Sequence, residues 1–302
     1  MNFKRIFNNP RTLSALIGVT RKEFEDLLPT FEKEWALSKK RQHAREGSKR
    51  KIGGGRKGFM PTIAEKLFFI LLYCKCYPTY DFLSVLYDCN RSNACRRQFE
   101  MMALLEKSLK RKIVLPKRQI RNMEEFLRFF PEAKELFIDG TERPVQRPKD
   151  GKKQKENYSG KKKKHTRKNI VIADKKRRVR FLGKTVNGKD NDFAILKRQC
   201  SPDKMPKGVK KHVDSGFQGW DKQFPGHTVS MPKKKSKYHP LTEHDKQRNK
   251  RKSRKRVLVE NVLAGVKRLR IVADIFRNKR SGFDDTVMNV SCGLWNFHLE
   301  TR

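Results

Sequence analysis

The chain has 302 residues, with 74 Lys+Arg set against 32 Asp+Glu, so its formal net charge is +42. Hydrophobic residues make up 36%, with 20 Phe and 3 Trp spread along the chain; this excludes wholesale disorder and a bare basic tail. A surplus that large repels itself in the compact state and far exceeds what a small anionic substrate needs, so a polyanion, nucleic acid first, is the expected partner.

In chain order, Leu13 to Trp35 carries apolar residues at helical spacing, with Thr20 and Glu23 set as a capping pair; residues 1–38 form a small helical segment. Residues 39–60 turn basic and Gly-rich and read as a linker. The run Gly53-Gly54-Gly55 lacks the Gly-Lys-Ser/Thr ending of a phosphate loop. Pro61 opens an amphipathic helix that stops at Tyr77-Pro78, a short helix fits Asp81 to Asp88, and Ser92 is placed to cap a third with Cys95, Phe99, Met102 and Leu109 inward. Residues 61–130 thus read as a helix-turn-helix region. Arg91, Asn93, Arg96 and Arg97 stand at the start of its last helix, where such motifs touch base edges; an ordinary three-helix bundle with a solvated basic end has the same pattern.

Over residues 131–302 the period changes to that of an α/β domain. Leu136 to Ile138 reads as a strand ending at Asp139, Asn169 to Ala173 and Val179 to Val186 as two more, and Asp190 to Cys200 as a helix. Val209 to Asp214 and Thr228 to Met231 are further strands, followed by a long helix from about Asp245 to Phe276. This order predicts a mixed sheet flanked by helices. The longest apolar stretch, Leu67 to Cys74, is too short to span a bilayer, and Met1 to Pro10 has no signal-like run, so an intracellular protein with no membrane partner is expected. The six cysteines show no CxxC pair and read as reduced core thiols.

In a chain so poor in acids, three positions stand out. Asp139 and Asp214 close predicted strands, where an open sheet holds its ligand, and Glu260 shares a polar helix stripe with Arg256 and Lys267. Carboxylates gathered in an interior repel one another unless cations neutralise them, and oxygen-only ligands select Mg²⁺ or Mn²⁺. Two such ions about 3.5–4 Å apart support in-line displacement at phosphorus. The bland alternative makes Asp139 and Asp214 turn residues and pairs Glu260 with Arg256 and Lys267 on the helix surface.

These residues carry a resemblance. The chain resembles insertion-sequence transposases of the IS5 type, whose DDE catalytic domain is shared with Harbinger-type elements. The resemblance runs through Tyr77-Pro78-Thr79-Tyr80, Phe137-Ile138-Asp139-Gly140-Thr141-Glu142-Arg143-Pro144, the block Gly160 to Asp174 with Lys164-His165-Thr166, and Asp214-Ser215-Gly216-Phe217-Gln218-Gly219. Its most specific part is an Arg-x3-Glu-x6-Lys signature matched without gaps by Arg256, Glu260 and Lys267; Ser253 stands where the family often has Tyr. The resemblance implies an RNase H-like core in which Asp139, Asp214 and Glu260 bind two Mg²⁺ ions. Water then cleaves at the element's end, and the freed 3′-OH attacks target DNA. It further implies double-stranded DNA partners, namely transposon ends and target, a homodimer or higher oligomer on DNA, and a place on the bacterial nucleoid, or in the nucleus for a eukaryotic source. A catalytically silent DNA-binding descendant and a metal-dependent nuclease without strand transfer are the alternatives.

Among the remaining positions, Lys164 and His165 are expected either at DNA phosphates or as a solvated strand edge, within a Lys-rich DNA-binding loop from Lys149 to Lys168 that includes Tyr158. Asp190 and Asp192 are read as helix caps, with a metal role as the alternative. His239 and His244 sit in a basic loop without ligand geometry, and Lys233 to Arg256 suits phosphate contact.

Overall fold

Residues 3–46, 58–131, 133–235 and 240–302 are described by the computed structural model. The chain divides into a unit of Met1–Leu115, Lys267–Asp274 and Thr286–Arg302 and a unit of Pro116–Val266 and Ile275–Asp285.

The first unit is helical. Helix α1 (Phe3–Phe7) precedes α2 (Pro10–Ile17), which starts at Asn9, whose side chain accepts from Thr12 N–H at 3.0 Å, and ends at Gly18 in the left-handed region, φ 72°. A side chain at Gly18 would be strained there, so the residue splits the predicted helical stretch in two. Helix α3 (Arg21–Glu46) then begins with the expected reciprocal cap: Glu23 N–H donates to Thr20 Oγ1 at 3.2 Å and Thr20 N–H to Glu23 Oε2 at 2.5 Å. Because α3 runs to Glu46, residues 39–46 of the expected linker are helical, while 47–57 lie outside the described residues.

Helix α4 (Ile63–Cys76) opens on a Thr62–Glu65 capping box and buries every residue from Leu67 to Cys74, as a core helix does. Helix α5 (Tyr80–Leu86) is capped by Thr79. Helix α6 (Arg91–Arg111) starts from Asn90 rather than the predicted Ser92, and its inner face is Ala94, Gln98, Met101, Met102, Leu105 and Leu109, with Cys95 and Phe99 only half-buried. The three helices α4–α6 are the predicted helix-turn-helix region.

The second unit starts with α7 (Met123–Phe129) and then the strand β1 (Glu135–Pro144), which continues five residues past the Asp139 end read from the sequence. Helix α8 (Gly151–Asn157) and strand β2 (Tyr158–Ser159) give structure to the Lys-rich loop. The long strand β3 (Lys164–Asp174) pairs antiparallel with β1 from Leu136↔Asp174 to Pro144↔Thr166. Its other edge takes β4 (Val179–Leu182), β5 (Val186–Asn187) and β2. Helix α9 (Asp192–Gln199) leads to β6 (Lys210–His212), parallel to β1, then α10 (Trp220–Gln223) and β7 (Val229–Ser230), parallel to β6. The sheet order is β2-β3-β1-β6-β7, a mixed sheet flanked by helices, preceded in the chain by an all-α region.

One face of the sheet, with Leu136, Ile138, Ile170, Ile172 and Phe181, packs against Phe126 of α7, Phe193 and Leu196 of α9, and Phe217 and Trp220. Each such side chain, fully buried, stabilises by roughly 1.5–3 kcal/mol. Helix α11 (Glu243–Lys267) ends where the chain turns extended at Leu269, so the predicted single helix to Phe276 breaks and a short α12 (Arg270–Ala273) follows. The chain closes with α13 (Phe283–Thr301), which the sequence reading did not anticipate. No helix among the described residues is long and apolar enough to cross a membrane.

Candidate active site

Strand alternation sends Ile138 into the core and its neighbour Asp139 to the opposite face of β1. Asp139 therefore sits within the strand rather than at its end, and its Oδ1 accepts from Gly140 N–H at 2.8 Å. Asp214 follows β6 and caps a single turn over Ser215–Phe217, its Oδ1 accepting from Gly216 N–H at 2.8 Å. Because β1 and β6 are parallel neighbours with Phe137 opposite His212, the two aspartates come together beside the C-terminal end of β6, among the interior strands of the sheet.

Their convergence is visible electrostatically. Burial, then the charge of Asp214, pushes the Asp139 carboxyl up to about 6, with Asp192 adding a smaller push and Arg256 and the Gly140 N–H opposing. Burial on its own pulls the Arg256 guanidinium down, but its hydrogen bond to Glu260 and the charges of Asp139, Glu260 and Asp214 hold it above its ordinary value. The Arg256 Nη2 donates to Glu260 Oε1 at 2.6 Å, within α11, while the Glu260 side chain is 50% exposed. Asp139, Asp214 and Arg256 thus form one electrostatic group, to which Glu260 is joined through Arg256.

The buried apolar side of α11 is Val259, Val262, Leu263 and Val266. Lys267 is the last residue of that helix and is half-buried.

A second acidic cluster lies beside the first. Asn191, not Asp190 or Asp192, caps α9, accepting from Phe193 N–H at 3.0 Å and Ala194 N–H at 3.2 Å. Asp190 pairs with Arg198 at 2.5 Å. Asp192 is freed from capping and packs on Gly140: a Cβ there would lie 2.6 Å from the Asp192 carboxyl carbon, so this approach requires glycine. Lys168 Nζ stands 3.3 Å from both Asp192 and Glu142 and donates to Asp190 O at 2.9 Å. Burial first, then Asp214 and Glu142, raise the Asp192 carboxyl, against the pull of Lys168. The sequence signal for Asp192 was slight: an acid at the first turn of a helix usually serves the helix itself.

The donor chemistry bears on a metal. Two partly buried carboxylates, one of which is pushed up by burial and by the charge of the other, are a fit for a hard divalent cation. Among the described residues, however, no group of three His, Cys, Asp or Glu side chains is arranged to hold one, and the Glu260 carboxylate is engaged by Arg256.

The expected DNA-contacting residues lie on both units. In the helical unit Arg91 is exposed and 3.3 Å from Asp81, Arg96 donates to Asn93 at 2.7 Å, and Arg97 pairs with Glu100 at 2.5 Å. In the α/β unit Lys164 is exposed opposite Ser159, and half-buried His165 lies opposite Tyr158. His244 is exposed in the first turn of α11; His239 and the end of the Lys233 basic run lie outside the described residues.

Residues 138–296 match the family model of a DDE superfamily endonuclease, and residues 60–111, which span α4 to α6, match that of the helix-turn-helix of DDE superfamily endonuclease. The chain is 30% identical over 242 residues to a probable transposase for insertion sequence element IS702 from Microchaete diplosiphon, covering 80% of this chain and 82% of the relative. No solved structure matches the chain significantly.

Proposed function

The chain belongs to the DDE-type insertion-sequence transposases, and from that premise we propose that it binds the ends of its element, cuts a phosphodiester there with Mg²⁺, and joins the freed 3′-OH to target DNA. The observation that carries the reading is the approach of Asp214 to the buried Asp139 beside Arg256, in a protein otherwise dominated by positive charge. In this reading Asp139, Asp214 and Glu260 hold two Mg²⁺ ions, for which Mn²⁺ can substitute. When bound, the ions supply an activated attacking oxygen and a stabilised leaving oxygen.

The chain's own residues do the rest. Asp139, within β1, and Asp214, just past the end of its parallel neighbour β6, define where the scissile phosphate sits. Arg256 balances their charge and holds Glu260, and would be available to a phosphate oxygen where bound cations balanced the carboxylates in its place. Lys267, one signature step further along the helix, is assigned a DNA contact, as are Lys164 and His165. Arg91, Asn93, Arg96 and Arg97 at the N-terminal end of α6 are assigned to recognition of the end sequence, with α6 in the major groove. Joining two ends calls for at least two copies on DNA.

The test is a reaction of the purified chain with Mg²⁺, a duplex carrying the DNA that flanks its own coding sequence, and a supercoiled plasmid. Covalent joining of duplex to plasmid is the expected product. Cleavage without joined product would reduce the function to that of a nuclease, and absence of both would reject it.

A further inference from the structure

The α/β unit carries a second feature whose chemistry points to DNA. The antiparallel pair Tyr158↔His165 puts the two rings side by side, centroids 5.7 Å apart and planes at 68°. They line a groove of about 550 Å³ together with Arg147, Gln154, Lys155 and Lys189. Tyr158 is 42% exposed, so its ring is open to a ligand. Arg147, Lys155 and Lys189 are all exposed, and none has a carboxylate partner among the described residues. Arg147 is nevertheless held in place: its Nε and Nη2 donate to Gln154 Oε1 at 3.1 and 2.9 Å, and Gln154 Nε2 donates to Pro148 O at 2.8 Å. On the far wall Lys189 N–H donates to Glu156 O at 3.1 Å, anchoring that cation to the end of α8.

An accessible aromatic face inside a concave ring of three uncompensated cations is the arrangement that takes an unpaired nucleobase, the ring stacking on the base and the cations on the flanking phosphates. A base inside a duplex has both faces covered by its neighbours and cannot stack in this way. The site is separate from the carboxylates: Asp139 pairs with Val171 on β3, six residues from His165, or about 20 Å along the strand. At about 3.4 Å per step this is roughly six nucleotides of a B-form strand.

We propose that this groove binds an unpaired base of a DNA strand, with Tyr158 as the stacking surface and Arg147, Lys155 and Lys189 as phosphate contacts. The inference rests on the transposase reading and extends it from double-stranded to locally opened DNA.

The test uses the full-length chain without metal, a mixed-sequence single-stranded oligonucleotide carrying 2-aminopurine, and the blunt duplex of the same sequence. Tyr158→Ala is expected to weaken single-strand binding by about 5- to 150-fold. It should leave duplex binding within about twofold, which also reports that the variant is folded, and Tyr158→Trp should restore single-strand affinity. The triple change Arg147→Gln, Lys155→Gln, Lys189→Gln should lower the slope of log affinity against log salt by about 2 on the single strand. If Tyr158→Ala weakens neither substrate, or both equally, the inference is overturned. That outcome leaves the cleavage reading untouched, since cleavage is decided separately by the carboxylate variants on end DNA.

Discussion

Asp139→Asn removes a charge that the metal-free fold holds at a cost. In the folded protein the Asp139 carboxyl is displaced from about 3.8 to about 6, by burial and then by Asp214. Between those values the folded chain binds more protons than the unfolded one, so stability falls as pH rises through this window and the loss is complete above it. A displacement of roughly two pH units corresponds to at most about 3 kcal/mol, and partial solvent access leaves about 1–3 kcal/mol. Asn keeps the acceptor for Gly140 N–H but carries no charge. The metal-free variant should therefore unfold about 3–9 °C above wild type at pH 8, and within about 2 °C of it at pH 4, which lies well below the folded value and close to the unfolded one, so that little of the difference remains. Millimolar Mg²⁺ should raise the wild-type midpoint and leave that of the variant unmoved. Thermal scans at the two pH values, with and without Mg²⁺, decide the matter. A variant no more stable than wild type at pH 8, or a gain that persists at pH 4, would refute the electrostatic reasoning.

Two further substitutions probe the surroundings. Gly140→Ala puts a methyl 2.6 Å from the Asp192 carboxyl carbon, so it should displace Asp192 from Lys168, cost about 1–3 kcal/mol in denaturant unfolding and slow cleavage; an unchanged midpoint would show that Asp192 moves freely. In the helical unit, burial on its own raises the Glu23 carboxyl, but Thr20 N–H and His298 outweigh it and hold it below its ordinary value. Its contribution to stability is thus present above about pH 4.5 and lost as pH falls through the lowered value. Glu23→Gln should cost about 1–3 kcal/mol at pH 7, with the difference shrinking below pH 4 in urea titrations. A pH-independent difference would assign the effect to packing.

How far these features were legible in the sequence depends on how local their causes are. The Thr20–Glu23 cap, the helix that follows Pro61 and the apolar strand through Ile138 are set by neighbours a few residues apart, and each was readable. The C-terminal half of β1 was not. Thr141 and Arg143 look like loop residues, yet both are buried, with Arg143 donating to Asn169 Oδ1 at 2.9 Å and Asp284 O at 2.9 Å. Partners that remote turn a polar run into strand. Helix α13 escaped notice for a related reason: buried Asn289, Ser291 and Asn296 interrupt the apolar stripe, and their side chains find acceptors such as Glu106, Val287 O and Val114 O. At the site, the scarcity of acids singled out Asp139, Asp214 and Glu260. The contact between Gly140 and Asp192, which depends on how α9 returns over the sheet, left no trace in spacing.

The central claim is that DNA is cut at the carboxylates gathered around Arg256, and it is tested most directly by single-turnover nicking of end-bearing duplex in Mg²⁺. Wild type, Asp139→Asn, Asp214→Asn and Glu260→Gln should be compared after each is shown to bind that duplex with equal affinity. Cleavage by wild type and a loss of at least about 100-fold in all three variants is the predicted result. Cleavage at the wild-type rate by any of the three would contradict the assignment of that carboxylate, and by both aspartate variants would contradict the site as a whole.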